Sequence, residues 1–196
     1  MSGAQIRLFV ALELPGEVRA ALGALSSRLR AKTGNSVRWV DPASLHLTLK
    51  FIGELDSGRL SAIQAALAAI RLPEPVLVVY GGAGTSRFPH PRVFAVGVQG
   101  SPPLRELAGA IDRALLPAGV PAEAREFFPH LTLARLKSGE ESAFLRSEGQ
   151  KLGVTEFGRA SYAEFDLMQS TLRPQGAVYT RVERFAFAAT ARVEGD

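Results

Sequence analysis

The sequence predicts an α+β protein of two pseudo-twofold-related lobes, each with a mainly antiparallel sheet and flanking helices. Strand-like and helix-like segments alternate along the 196 residues, and two short motifs recur at nearly one spacing. Arg7-Leu8-Phe9-Val10-Ala11 is echoed 85 residues later by Arg92-Val93-Phe94-Ala95-Val96. His46-Leu47-Thr48-Leu49 is repeated letter for letter 84 residues later by His130-Leu131-Thr132-Leu133. We therefore predict that residues 1–196 form a single domain made of two duplicated lobes.

The first half shows a regular order of elements. Ile6 to Leu14 is predicted to be a strand, because every second residue is apolar. The helix after it has an apolar stripe at helical spacing, formed by Val18, Leu22, Leu25 and Leu29. The first His-Leu-Thr-Leu strand follows, and then a second helix with the stripe Leu60, Ile63, Leu67 and Ile70. A strand from Pro75 to Tyr80 is predicted to complete this half.

The second half repeats this order. Val93 to Gln99 is predicted to be a strand, and Ser101 before Pro102 and Pro103 is a typical helix start. The stripe of that helix is Leu104, Leu107, Ala108, Ile111 and Leu115. After the second motif, Ser138 and Glu141 suggest a capping box for a shorter helix. Strands from Arg159 to Leu172 and from Val178 to Phe187, joined by a turn at residues 173–176, are predicted to complete this half.

The composition is that of an ordinary globular protein, with 46% hydrophobic and 21% charged residues. The sequence has no apolar run of membrane-spanning length and no signal-peptide pattern, so we expect a cytoplasmic protein without a membrane partner. It contains no cysteine, which excludes disulfides and thiolate metal sites. The net charge of +4 permits an anionic partner such as nucleic acid but does not identify one.

Side chains alternate across a strand, and this predicts what the two motifs present. The leucines of each motif fall on one face, and its histidine and threonine fall on the other. In the first motif strict alternation adds Phe51 to the leucine face and Lys50 to the face of His46 and Thr48. If the lobes are related by a pseudo-twofold axis, both His-Thr pairs face one groove.

Two imidazoles beside one phosphate can act as an acid–base pair, because histidine titrates near neutral pH. Threonine hydroxyls can donate hydrogen bonds to the non-bridging phosphate oxygens. Two histidines without cysteine or a nearby carboxylate motif provide too few ligands for zinc, so we expect no metal. The third histidine, His90, lies in a proline-rich stretch and is interpreted as structural or incidental.

The two motifs and their flanks resemble those of the two-histidine (2H) phosphoesterase superfamily. The most similar branch is the RNA 2′,3′-cyclic phosphodiesterase family, also called 2′-5′ RNA ligases. The matching segments lie in order along nearly the whole chain. They are Arg7-Leu8-Phe9-Val10-Ala11, Val37-Arg38-Trp39-Val40, residues 45–54 around the first motif, Pro91-Arg92-Val93-Phe94, and residues 128–135 around the second.

This resemblance implies a bilobal fold with both motifs in a central cleft and no cofactor or metal. It implies hydrolysis of a terminal RNA 2′,3′-cyclic phosphate to a 2′-phosphate. His46 would be the proton donor and His130 the proton acceptor. Thr48 and Thr132 would hold the phosphate. The expected partners are RNA ends with 2′,3′-cyclic phosphate, such as tRNA halves, or cyclic nucleotides, and a monomer is expected.

Further residues are weaker candidates. Arg135 resembles a phosphate contact of the family, but strict alternation puts it on the face opposite His130 unless the strand bends or ends; the alternative is a solvated surface arginine. Phe9 either lines the cleft and stacks on a base, or simply packs between the lobes. Arg38 and Lys50 could add positive potential to the groove; the alternative is that they are simply solvated, as charged strand residues usually are. Trp39 could pack at the base of the first-motif strand.

Two other functions remain open at this stage. Reversible 2′-5′ joining of RNA ends would use the same acid and base, with an RNA hydroxyl in place of water. The second alternative is a non-catalytic RNA-binding protein that uses the cleft as a phosphate clamp. Intact histidines in both motifs disfavour this alternative, because a clamp needs no acid–base pair.

Overall fold

The computed structural model describes residues 4–33, 37–85, 92–136, 139–173 and 176–188, and these contain nine strands and four α-helices. The first part of the chain forms β1 (Gln5–Glu13), α1 (Gly16–Arg30), β2 (Val37–Trp39), β3 (His46–Asp56), α2 (Leu60–Ala68) and β4 (Val76–Thr85). The rest forms β5 (Val93–Gly100), α3 (Pro102–Leu115), β6 (His130–Leu136), α4 (Gly139–Lys151), β7 (Glu156–Tyr162), β8 (Glu164–Arg173) and β9 (Gly176–Ala186).

The strands form two sheets in which every neighbouring pair is antiparallel. The first sheet has the order β3-β1-β8-β9, and the second has the order β2-β6-β5-β4-β7. The α+β class with two antiparallel sheets and accompanying helices is confirmed. No helix in the described ranges is long and apolar enough to cross a membrane.

The two halves of the chain exchange strands between the sheets. β4, which was predicted to complete the first half, pairs with β5 and β7 in the second sheet. β8 and β9 belong to the second half, yet they complete the first sheet beside β1. The prediction that each half completes its own sheet is therefore wrong, because periodicity identifies a strand but not its partner.

The predicted strand from Arg159 to Leu172 is in fact two strands that lie in different sheets. β7 ends at Tyr162 and β8 begins at Glu164. Between them, the carbonyl of Ala163 accepts hydrogen bonds from the backbone N–H groups of Phe187 and Ala188 at 2.8 and 3.2 Å. The carbonyl of Ala163 is thus hydrogen-bonded to the segment that follows β9. The pairing of β7 with β4 ends before this residue, and the pairing of β8 with β9 begins after it.

The predicted helix stripes agree well with the structure. All four stripe residues of α1 and all five of α3 are buried. In the α2 stripe Ile63 and Leu67 are buried in the helix, whereas Ile70 is buried beyond its end. α3 begins directly after Ser101, as predicted, although the Ser101 hydroxyl donates to the carbonyl of Leu77 and does not cap the helix.

The prediction for the last helix is wrong in one respect. α4 has 13 residues and α2 has nine, so the helix after the second motif is the longer one. Ser138 of the predicted capping box, Pro174 and Gln175 of the predicted turn, and His90 lie outside the described residues. Arg173 and Gly176, which flank that turn, pair with each other at the ends of β8 and β9.

β1 lies between β3 and β8 and is buried on both of its faces from Leu8 to Leu12. The alternation in the sequence predicted one buried face, formed by Leu8, Val10 and Leu12. Phe9 and Ala11 are buried as well, and His46 of β3 and Tyr179 of β9 pack against Phe9 on the opposite face. That second face of the first sheet carries His46, and we call it the His46 face.

Candidate active site

The two motifs occupy equivalent positions in the two sheets. In each motif the histidine and the threonine pair with two residues of the adjacent strand, β1 or β5. The pairs are His46–Glu13 and Thr48–Ala11 in the first sheet, and His130–Gly97 and Thr132–Ala95 in the second. Every residue of the first set lies 84 positions before its counterpart in the second. β3 and β6, which carry the histidines, are in contact.

This register corrects the sequence alignment of the two opening strands. The match between Arg7-Leu8-Phe9-Val10-Ala11 and Arg92-Val93-Phe94-Ala95-Val96 has an offset of 85. The pairing instead makes Ala11 equivalent to Ala95, an offset of 84. The identical letters are thus one residue out of structural register, and the position equivalent to Phe9 is Val93.

Each motif strand contains a β-bulge at the last leucine of its motif. The pairing of β3 passes from Thr48 to Lys50, which leaves Leu49 without a partner of its own. The pairing of β6 passes in the same way from Thr132 to Ala134 and omits Leu133. An extra residue in one strand inverts the alternation beyond it, so the residues after the bulge change faces.

The bulge overturns the predicted placement of Lys50 and Phe51. Lys50 is only 5% exposed, and its ammonium group lies 2.6 Å from the Asp112 carboxylate and donates to the carbonyl of Pro121 at 2.9 Å. It therefore contributes no potential to the groove. Phe51 is 62% exposed and lies on the His46 face, with its ring 6.4 Å from that of Phe9.

The equivalent bulge in β6 accounts for the position of Arg135. Strict alternation put Arg135 on the face opposite His130, but the extra residue at Leu133 returns it to the face of His130 and Thr132. Arg135 is exposed there, whereas Ala134 is buried. We call this side of the second sheet the His130 face.

Both imidazoles are oriented by the same local hydrogen bond. His46 Nδ1–H donates to the carbonyl of Ser44 at 2.8 Å, and His130 Nδ1–H donates to the carbonyl of Phe128 at 2.9 Å. A carbonyl oxygen can only accept, so Nδ1 carries a hydrogen in both rings. Nε2 is therefore the atom of each histidine that is left to gain or lose a proton.

The two histidines differ in their surroundings. His46 is half-buried, with the centre of its ring 4.7 Å from that of Phe9 and 5.0 Å from that of Tyr179, which lies nearly perpendicular to it. Burial lowers the pKa of His46, and the hydrogen bond to the Ser44 carbonyl raises it in part. His130 is exposed, and the ring near it is that of Phe128, 6.3 Å away and 76% exposed.

Phe9 is 3% exposed and packs between His46 and Tyr179. These contacts agree with the prediction that Phe9 has a packing role. They lie within the first sheet, however, whereas that prediction placed them between the lobes. Stacking of a base directly on Phe9 would require this ring to be uncovered. Tyr179 was missed in the sequence, because a tyrosine in a strand 133 residues after His46 gives no sign of its partner.

The segment before the first motif belongs to the second sheet. β2 pairs with β6, so that Arg38 lies opposite Arg135 and Trp39 lies opposite Ala134. Trp39 donates from its ring nitrogen to the Thr33 hydroxyl at 3.0 Å, and its ring lies 6.2 Å from Phe94. The prediction that Trp39 packs at the base of the first-motif strand is therefore wrong, because this residue lies beside the second-motif strand.

Comparison with known proteins identifies the family. A family model described as LigT like Phosphoesterase matches residues 12–94 and again residues 96–179. A protein of Aeropyrum pernix named RNA 2′,3′-cyclic phosphodiesterase is 33% identical over 85% of this chain and 97% of its own length. A Thermus thermophilus protein of the same name is 33% identical over 92% of this chain and 90% of its own length.

Solved structures agree with this result. A crystal structure of a Thermus thermophilus protein superposes with a TM-score of 0.75 at 30% identity, over 92% of this chain and 97% of that one. Escherichia coli LigT complexed with 3′-AMP superposes with a TM-score of 0.73 at 27% identity, over 94% and 99% of the two chains. The fold and the paired motifs are those of a phosphoesterase of the hydrolase class. The chain belongs to the LigT-like family of 2H phosphoesterases.

Proposed function

We propose that this enzyme hydrolyses a terminal RNA 2′,3′-cyclic phosphate to a 2′-phosphate by metal-independent acid–base catalysis with His46 and His130. The observation that carries the proposal is the equivalence of the two histidines. Each follows the same carbonyl anchor, occupies the same register and has Nε2 left for proton transfer. The names of the relatives support the substrate class.

In the proposed reaction, His130 Nε2 takes a proton from water, and the resulting hydroxide attacks the phosphorus. The bond from phosphorus to the 3′ oxygen breaks, and His46 Nε2–H gives its proton to that oxygen. The products are a 2′-phosphate and a free 3′-hydroxyl. Each transfer is typically worth about 10²–10⁴ in rate. The backbone hydrogen bonds of the two rings are the same and do not distinguish the donor from the acceptor. We therefore assign the two roles by the family resemblance.

The burial of His46 bears on its role as the proton donor. Its lowered pKa favours the neutral ring in the free enzyme. A cyclic phosphate carries a negative charge, and a nearby opposite charge favours the imidazolium. We therefore expect substrate binding itself to promote protonation of His46.

Thr48 and Thr132 complete the proposed site. Each lies two residues after its histidine on the same face, at a half-buried position, and can donate its hydroxyl to a non-bridging oxygen. Arg135 follows Thr132 on the His130 face and would supply positive charge. We propose further that residues 1–196 form one domain of two duplicated lobes, each of which contributes one histidine, so that a monomer suffices.

Phosphorus NMR of adenosine 2′,3′-cyclic phosphate incubated with the enzyme in EDTA tests the proposal. We expect the signal of adenosine 2′-phosphate to appear. His46→Ala and His130→Ala should each lower turnover by at least about 100-fold, the lower end of a lost proton transfer. His90→Ala, a histidine outside both motifs, is the matched control. Near-native turnover by either motif variant would show that the acid–base pair is wrong, and a 3′-phosphate product would reverse the leaving group.

A further inference from the structure

Two arginines face each other on adjacent strands beside the second motif. Arg38 of β2 and Arg135 of β6 are direct partners in the antiparallel pairing, and both are exposed. Directly opposed residues point to the same side of a sheet, with Cβ atoms about 5 Å apart. Because the bulge turns Arg135 to the His130 face, Arg38 also lies on that face.

These two guanidinium groups have no counter-charge in the described ranges of the chain. Neither of them forms a hydrogen bond or an ion pair with a described residue. Like charges directly opposite each other destabilise a sheet. Such a pair at a short edge strand is explained if an anion binds between them.

The arginine pair lies beyond the position proposed for the reacting phosphate. Same-face neighbours on a strand are about 7 Å apart, so His130, Thr132 and Arg135 form a row along β6, and Arg38 lies one strand to the side of its end. A phosphate held at His130 and Thr132 would therefore adjoin Arg135 but not Arg38. A second phosphate further along an RNA strand would reach both arginines.

We propose that Arg38 and Arg135 form a subsite for the phosphodiester that links the terminal nucleotide to its 5′ neighbour. The inference rests on the proposed function and specifies its substrate: an RNA end rather than a cyclic mononucleotide. Arginine suits this site, because its planar guanidinium binds phosphate oxygens in pairs. A cyclic mononucleotide has only one phosphate and leaves this subsite empty.

The test compares two substrates that differ by one 5′ adenosine and the phosphodiester that links it: adenosine 2′,3′-cyclic phosphate and the dinucleotide ApA with a 2′,3′-cyclic phosphate end. We expect a higher kcat/KM for the dinucleotide with the native enzyme. Arg38→Ala should lower the dinucleotide-to-mononucleotide ratio about tenfold, as for a lost hydrogen bond to a charged group. It should also reduce the salt dependence of the dinucleotide reaction by about one charge.

Arg159→Ala is the matched control, since Arg159 is an exposed strand arginine on β7, at the other edge of the same sheet. The dinucleotide-to-mononucleotide ratio of kcat/KM for this variant should equal that of the native enzyme. Arg38→Glu is a second variant, which places a carboxylate opposite Arg135. Its Tm should equal or exceed the native value while the dinucleotide preference is lost. A purely structural role for Arg38 would instead lower the Tm and reduce turnover of both substrates equally.

A dinucleotide with an uncharged methylphosphonate linkage tests the native enzyme without any substitution. It should react like the mononucleotide, and Arg38→Ala should affect it little. Equal ratios for native enzyme and both Arg38 variants, or no penalty for the neutral linkage, would overturn the inference. Absence of turnover of both substrates by the native enzyme would instead reject the proposed function, so the two failures are distinguishable.

Discussion

His46 and His130 have the same anchor but different environments. Both rings donate Nδ1–H to the carbonyl two residues earlier, which directs Nε2 away from the local backbone. Phe9 and Tyr179 enclose His46, whereas His130 is exposed. A duplicated motif has thus acquired two different environments, and the difference comes from aromatic residues outside the motifs. A pH profile can therefore separate the two roles.

Replacing Tyr179 should change the pH dependence of catalysis. Tyr179→Ala admits water to His46, which removes part of the desolvation and raises the pKa of His46 toward its usual value. A general acid must be protonated, so kcat/KM falls as the pH rises through this pKa. The alkaline limb of the kcat/KM profile should therefore move to higher pH in Tyr179→Ala.

Tyr179→Phe keeps the ring and should leave the limb in place. Movement of the acidic limb instead would mean that His46 is the base. If neither limb moved, the Tyr179 ring would not control the protonation of His46.

Among the elements, the bulge in each motif strand has the largest effect on the site. It turns Lys50 inward to Asp112 and turns Arg135 toward His130. The ion pair between the buried Lys50 and the partly exposed Asp112 joins β3 to α3, whereas the equivalent position in β6 is Ala134, which is buried without a charge. The two motif strands therefore share their backbone geometry, but only β3 is joined to a helix by an ion pair at this position.

Close packing of α4 on β4 gives a prediction at the same scale. A Cβ atom at Gly149 would lie 2.7 Å from Gly84 Cα and 3.0 Å from the Ala83 carbonyl oxygen, which are backbone atoms that cannot turn away. Gly149→Ala should therefore lower the free energy of unfolding by about 1–3 kcal/mol, as overpacking does. Urea denaturation followed by circular dichroism measures the change.

Gly109→Ala in α3 is the matched control. Its Cβ would approach only the movable guanidinium of Arg113, at 3.2 Å, and alanine favours a helix interior over glycine by about 1 kcal/mol. The two substitutions should therefore shift stability in opposite directions. Equal shifts of one sign would show that the contact between α4 and β4 is looser than described.

At the scale of the whole molecule, the repeat in the sequence and the division into sheets do not coincide. The first sheet takes β8 and β9 from the second half, and the second sheet takes β2 and β4 from the first half. Each half thus lacks strands that its own sheet requires. The repeat in the sequence corresponds to the two similar histidine motifs. The strands that each sheet takes from the other half join the two halves into one structure.

This exchange predicts that neither half folds alone. A fragment of residues 1–91 retains only β1 and β3 of the first sheet, and an isolated two-stranded unit is marginally stable at best. We expect fragments 1–91 and 92–196 each to unfold without a cooperative urea transition, and their mixture to recover one. A cooperative transition of the fragment 1–91 by itself would contradict this prediction.

The sequence alone was sufficient for the features that depend on local periodicity. The stripes of α1 and α3, the starts of the motif strands and the pairing of His with Thr on one face follow from the spacing of residues near one another. The motifs also identified the family and the candidate residues His46, His130, Thr48 and Thr132.

Tertiary structure decided the features that depend on partners far apart in the chain. The faces of Lys50 and Arg135 depend on a bulge, which is defined only by the register with a second strand. The burial of His46 depends on Tyr179, and the opposition of Arg38 and Arg135 depends on the pairing of β2 with β6. The sequence of a strand encodes its own alternation, whereas register, neighbours and burial are set when distant segments pack together.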